Sequence, residues 1–109
     1  MPKTYVISLG GSLIFPDNFD KRFVHSFTKT IKKHARKNRF VIICGGGKLA
    51  RSFQQVASKA KKLSNRELDW LGIYATKINA HLLKSVFGGK ANDAIITNPN
   101  SKINFKKHI

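Results

Sequence analysis

The run Val41-Ile42-Ile43-Cys44-Gly45-Gly46-Gly47 constrains this chain more than any other. Its apolar half reads as a strand of the kind that a parallel sheet buries on both faces. Three consecutive glycines then end it. Lys48-Leu49-Ala50-Arg51 follows with helix formers, so the stretch reads strand, tight turn, helix.

A second stretch answers it near the start. Tyr5 to Leu9 is a short apolar strand candidate that ends in Gly10-Gly11, followed by Ser12. Ser12 to Pro16 reads as a loop with apolar anchors, and Asp17, Asn18 and Asp20 offer helix N-caps. From Lys21 to Lys37, Phe23, Phe27, Ile31 and Ala35 recur every fourth position, one apolar stripe on a basic helix. Arg36 and Lys37 suit the negative end of its dipole. This helix is the crossover that parallel strands require between Leu9 and Arg39.

Past the glycines, a helix from about Lys48 to Lys62 places Leu49, Phe53, Val56, Ala57 and Ala60 on one face. Ser64-Asn65-Arg66-Glu67 is a capping-box pattern. It opens a long helix through Leu68, Leu71, Ala75, Ile78, Leu82 and Val86, closed by Gly88-Gly89. Ala94 to Thr97 reads as a third strand and Asn98-Pro99-Asn100-Ser101 as a turn. Lys102 to Ile109 closes no identifiable element. The order β-α-β-α-α-β predicts an α/β domain: three-layer α/β/α with a mostly parallel sheet, residues 1–109 forming a single unit.

Composition narrows the function. Lys and Arg number 21 against 5 acidic residues, a formal charge of +16. Such a surface implies anionic surroundings: phosphate ligands, nucleic acid, or a high-salt cell interior that screens self-repulsion. Cys44 is the single cysteine, which rules out an internal disulfide framework and fits a reducing compartment. No secretory h-region follows Met1 and no apolar run reaches membrane-spanning length, so the expected location is cytoplasmic. His25, His34, His81 and His108 show no ligand spacing with Cys44 or with one another, so no metal cage is expected.

A helix that opens after glycines presents unpaired amides and a partial positive charge, and phosphate is its natural guest. Gly45, Gly46 and Gly47 fit that role, with Arg51 one turn on as a bidentate partner. The plainer reading is a tight turn only. The spacing matches neither the P-loop nor the dinucleotide fingerprint. Two glycine turns at the carboxyl ends of adjacent parallel strands are more telling, because ligands of open α/β sheets bind at that edge. Asp69, in the first turns of the long helix, is either a dipole-matching residue or an acceptor for sugar hydroxyls.

Three stretches together, Val6 to Leu13, Cys44 to Arg51 and Asp69 to Leu83, resemble the amino acid kinase superfamily, and within it the archaeal-type UMP kinases. The resemblance implies a truncated fold of the carbamate kinase type and the reaction ATP plus UMP to ADP plus UDP, with Mg2+ accompanying ATP, in pyrimidine biosynthesis. Residue by residue, it implies that Gly45 and Gly46 line UMP and that Asp69 holds its ribose. Gly10, Gly11, Ser12, Gly47 and Arg51 would lie against the transferred phosphoryl group and the phosphates of ATP. Ser8 stands where many members carry a phosphoryl-binding lysine, and Lys48 is a candidate stand-in. The long helix would pack at the subunit interface of a hexamer built from dimers.

The resemblance also implies that the second, ATP-binding half of the domain lies beyond this sequence. The expectation is therefore an acceptor-binding half, inactive alone, that works with a complementary C-terminal half. The alternative is a non-catalytic nucleotide- or RNA-binding basic module derived from the kinase fold. Against nucleic acid, the lysines are spread along every helix and not gathered with aromatics.

Overall fold

The computed structural model describes residues 2–98 and 100–109. Two strands, β1 (Thr4–Leu9) and β2 (Arg39–Cys44), pair in parallel, in register from Thr4 opposite Arg39 to Leu9 opposite Cys44. Between them run a single turn, α1 (Gly11–Ile14), and the crossover helix α2 (Lys21–His34). After β2 come α3 (Gly47–Ala60) and α4 (Asn65–Phe87), then a 3-10 turn over Gly88–Lys90.

The helix boundaries follow local chemistry. Asp20 accepts the Phe23 amide at 3.0 Å and starts α2. Ser64 and Glu67 form the reciprocal capping box that starts α4. Gly88, at φ +60, ends α4 in a conformation that L side chains rarely adopt.

Pleat alternation puts Ile7, Leu9, Phe40, Ile42 and Cys44 on one face of the sheet. Val24 and Ile31 of α2, Leu83 and Phe87 of α4, Ile14 and Ala91 cover that face and form the core. Burial of each large apolar side chain there contributes about 1.5–3 kcal/mol. The opposite face carries Val6, Ser8, Val41 and Ile43 and is bare, with Val6 65% and Ile43 53% exposed. The architecture is thus a truncated α/β fold in which α2 and α4 cover one face of a two-stranded parallel sheet.

Several local expectations change. Residues 12–14 are not loop. Leu13 and Phe15 amides donate to the Gly10 and Gly11 carbonyls, closing a helical turn that drives Ile14 fully into the core. On α2 the buried line is Val24, Thr28 and Ile31, flanked by half-buried Phe23, Phe27 and Ala35. Thr28 is tolerated there because its hydroxyl donates to the Val24 carbonyl at 2.8 Å. No residue of α3 is buried. Packed against α4, it half-buries Leu49 and Ala57, while Val56 is 70% exposed.

Ala94 to Thr97 forms no strand. A strand needs a ladder, and it is the tail that meets β2 instead: the Phe40 amide donates to the His108 carbonyl at 2.7 Å. Asn92 clamps the tail with its side chain, accepting from the Lys107 amide at 2.9 Å and donating to the Lys107 carbonyl at 3.1 Å. Arg39 lies over the Phe105 ring, 5.3 Å from its centroid. In the expected turn at 98–101, Pro99 lies outside the described residues. The Ser101 amide donates to the Asn98 carbonyl, as such a turn requires.

Candidate functional site

The two glycine turns meet at the carboxyl ends of β1 and β2. The Gly45 amide donates to the Leu9 carbonyl at 3.0 Å and carries the ladder past the strands. Beyond it the two backbones touch. A Cβ on Gly11 would lie 2.5 Å from the Gly45 oxygen and 2.6 Å from the Gly46 carbonyl carbon, and would overlap the Gly47 nitrogen. A Cβ on Gly47 would overlap Gly11 and lie 2.5 Å from the Ser12 nitrogen. Gly47 also has φ +55. Both glycines are therefore required by close approach, and Gly47 by conformation as well. Gly10 differs: its nearest neighbour would be the Ser12 hydroxyl at 3.9 Å, and it faces solvent.

Helix α4 buttresses the turn from behind. A Cβ on Gly46 would lie 3.4 Å from the Gly72 carbonyl and 3.5 Å from Thr76 Cγ2. Asn79, 1% exposed, donates from Nδ2 to the Gly45 carbonyl at 2.9 Å and to the Gly46 carbonyl at 3.3 Å. The turn's carbonyls are thus drawn toward α4. The opening amides of α3, by contrast, have no side-chain cap and no acidic residue in the first turn. Ala50, bonded to the Gly46 carbonyl, makes the first intrahelical link. Free donors and the positive dipole end coincide at Gly47 to Leu49.

Arg51 is exposed and makes no ion pair among the described residues. It borders a shallow groove of about 240 Å³ with Gln54, Gln55, Ser58 and Leu68. Gln54 ties that groove together by donating to the Leu68 carbonyl at 2.8 Å. Asp69, the next residue, is exposed. Spacing of three and seven residues puts Asp69 on the α4 face of Gly72 and Thr76, one turn from the Gly46 contact. The structure therefore brings Gly11, Ser12, Gly45, Gly46 and Gly47 into one cradle, with Gly10 at its rim. Arg51 and Asp69 stand beside it on adjoining helices and do not bond to each other.

Ser8 lies opposite Ile43 on the bare sheet face. Lys48, directly after the glycines, pairs with Asp17 at 2.8 Å. The Lys48 hydrogen bond, then its charge, hold the Asp17 carboxyl below its ordinary range. Cys44 sits at the strand end below the cradle, and burial pushes its thiol up to about 11, which removes it as a nucleophile at neutral pH.

Sequence reasoning missed Asn79 and Asp17. For Asn79 a signal existed: it falls on the line Ala75, Asn79, Leu83, Phe87, a lone polar residue on a buried stripe.

Residues 3–105 match the amino acid kinase family. The chain belongs to that family. Among curated relatives in the family, the uridylate kinase of Thermoplasma volcanium is 38% identical over 104 residues, covering 95% of this chain and 44% of the relative. The uridylate kinase of Methanospirillum hungatei is 33% identical, covering 86% and 39%. The crystal structure of uridylate kinase from Archaeoglobus fulgidus superposes with a TM-score of 0.73 at 34% identity, over 90% of this chain and 42% of that one. The chain thus spans about two-fifths of the length of the relatives it matches. The parallel pair with its helical crossover is the family's fold, in truncated form.

Proposed function

We propose that this chain is the acceptor-binding part of a UMP kinase, residues 1–109 forming that single unit, and that it transfers no phosphoryl group without a complementary C-terminal half holding ATP. The reading rests above all on one observation: two glycine turns pack backbone against backbone beside the uncapped amides of α3. Gly45 and Gly46 approach the UMP phosphate, and Asp69 accepts from the ribose hydroxyls. Gly10, Gly11, Ser12, Gly47 and Arg51 face the phosphoryl group in transfer. Positioning and charge neutralisation carry such a reaction, and uncapped amides with a guanidinium supply part of both. No group of three or more His, Cys, Asp or Glu side chains gathers among the described residues, so magnesium would arrive on the phosphates of ATP.

The bare face at Val6 and Ile43 supports the need for a complementary half, since parallel sheets are normally covered on both sides. Exposed Trp70, Ile73, Tyr74 and Ile78 along α4 support a homo-oligomer through that helix. No helix among the described residues is long and apolar enough to cross a membrane; a cytoplasmic location belongs to the proposal.

The test is calorimetric titration with UMP of the parent chain, Asp69→Asn and Arg51→Ala. Affinity is expected to fall about tenfold or more in each variant, the loss of one charge-assisted hydrogen bond. Equal affinity in all three removes the assignment. The net charge of +16 favours a second reading, a non-catalytic module that binds RNA. RNA binding would weaken steeply with salt, whereas UMP binding at backbone amides would weaken little.

A further inference from the structure

We propose a second anion site, specific for short polyphosphate chains, in the groove between the end of α2, the Gly88–Lys90 turn and the tail. This groove is about 180 Å³ and its lining includes Lys32, Arg36, Lys90, Lys107 and His108. It lies where β2 begins, since His108 is bonded to Phe40, and so at the sheet edge opposite the glycine turns. It is independent of the nucleotide reading.

Cations near helix C-termini ordinarily answer the dipole, and Lys32 does so, donating from Nζ to the Val86 carbonyl at 3.2 Å. Lys107 stands 3.5 Å from Asp93, a carboxylate 94% exposed at the groove's margin. Arg36 and Lys90 have neither a hydrogen bond nor an ion pair among the described residues. No carboxylate lines the groove. Four permanent cations are thus held around one small volume with a single exposed acid beside them. Their mutual repulsion is relieved by a multivalent anion.

The backbone that presents them is fixed, unlike that of scattered surface lysines. The Asn92 fork holds Lys107 at both its amide and its carbonyl. The Asn92 amide donates to the Ile109 carbonyl at 2.7 Å. His108 Nδ1 lies 2.6 Å from the Ala35 carbonyl, which can only accept, so Nδ1 carries the proton. Such preorganisation lowers the ordering cost of binding. The lining holds no Phe, Tyr or Trp on which a base could stack, which favours a phosphate chain over single-stranded nucleic acid.

The test titrates inorganic triphosphate into the 15N-labelled chain. Saturable shifts are expected in the amides of Gly89, Lys90, Lys107 and His108. The exposed double variant Arg36→Gln/Lys90→Gln should lose affinity about tenfold or more, with its circular dichroism melt unchanged. A surface control, Lys61→Gln/Lys62→Gln, should bind as the parent does. Shifts confined to Gly45 to Gly47, equal loss in the surface control, or saturable binding of a single-stranded oligonucleotide with none of triphosphate would each overturn the proposal.

Discussion

Asn79 holds Gly45 across 34 positions of sequence, its Nδ2 2.9 Å from the Gly45 carbonyl. That bond couples the longest helix to the turn that closes β2, and a second, to Gly46, makes it a clamp. Asn79→Leu removes both donors while roughly keeping volume. The Gly45 carbonyl then loses its partner, at a cost of about 1–3 kcal/mol, while the Gly46 carbonyl keeps the Ala50 amide. Urea denaturation should show a lower midpoint with unchanged slope. An unchanged midpoint would show that water replaces the amide.

The glycines of the cradle divide by what surrounds them. Gly47→Ala must resolve an overlap with Gly11 and strain at φ +55, together about 2–6 kcal/mol. Gly11→Ala faces the same overlap from the other side. Gly10→Ala meets open space at an ordinary extended conformation, φ −60 and ψ 135, and should change stability by less than about 0.5 kcal/mol. Thermal melts of the three variants check this order. If Gly10→Ala melts as low as Gly47→Ala, the packing account of the cradle is wrong.

Much of this arrangement could be read from the chain because it depends on near neighbours. The capping box at Ser64, the Asp20 cap and the glycine stop at Gly88 are local and formed as expected. The two glycine turns were legible as a pair because strand-turn-helix order fixes which sheet edge they share. What failed was non-local. Ala94 to Thr97 has the composition of a strand, but a strand exists only where a ladder partner is free. The tail, whose sequence has no periodic signal, reaches β2 because Asn92 captures Lys107 from 15 residues away. Asn79 carries no charge and no reactive atom; its role of holding backbone carbonyls exists only once α4 packs behind the turn.

Cys44 ties stability to alkaline pH. Burial raises its thiol from 9.0 to about 11, so the folded chain keeps a proton that the unfolded chain releases. A raised folded value gives stability that is whole below 9.0 and declines as pH climbs toward 11. Denaturation midpoints should fall across that window in the parent and stay flatter in Cys44→Ala. A disulfide reagent at neutral pH should label the folded chain far more slowly than the urea-unfolded one. Equal labelling rates would contradict the burial.

The bare sheet face makes a prediction of opposite kind, a substitution that spares the fold and alters association. Val6 and Ile43 sit diagonally on neighbouring strands and are 65% and 53% exposed, so neither contributes much to the core. Val6→Thr/Ile43→Thr keeps β-branching and strand propensity. It should move the melting midpoint by little, within about 0.5 kcal/mol per site. If the face is where covering chain docks, its apolar area drives that docking. Sedimentation velocity should then show weaker binding of a complementary half, together with less self-association at high concentration. A double variant that melts with the parent and still binds the complement equally well would move the docking surface elsewhere, to the exposed aromatic side of α4.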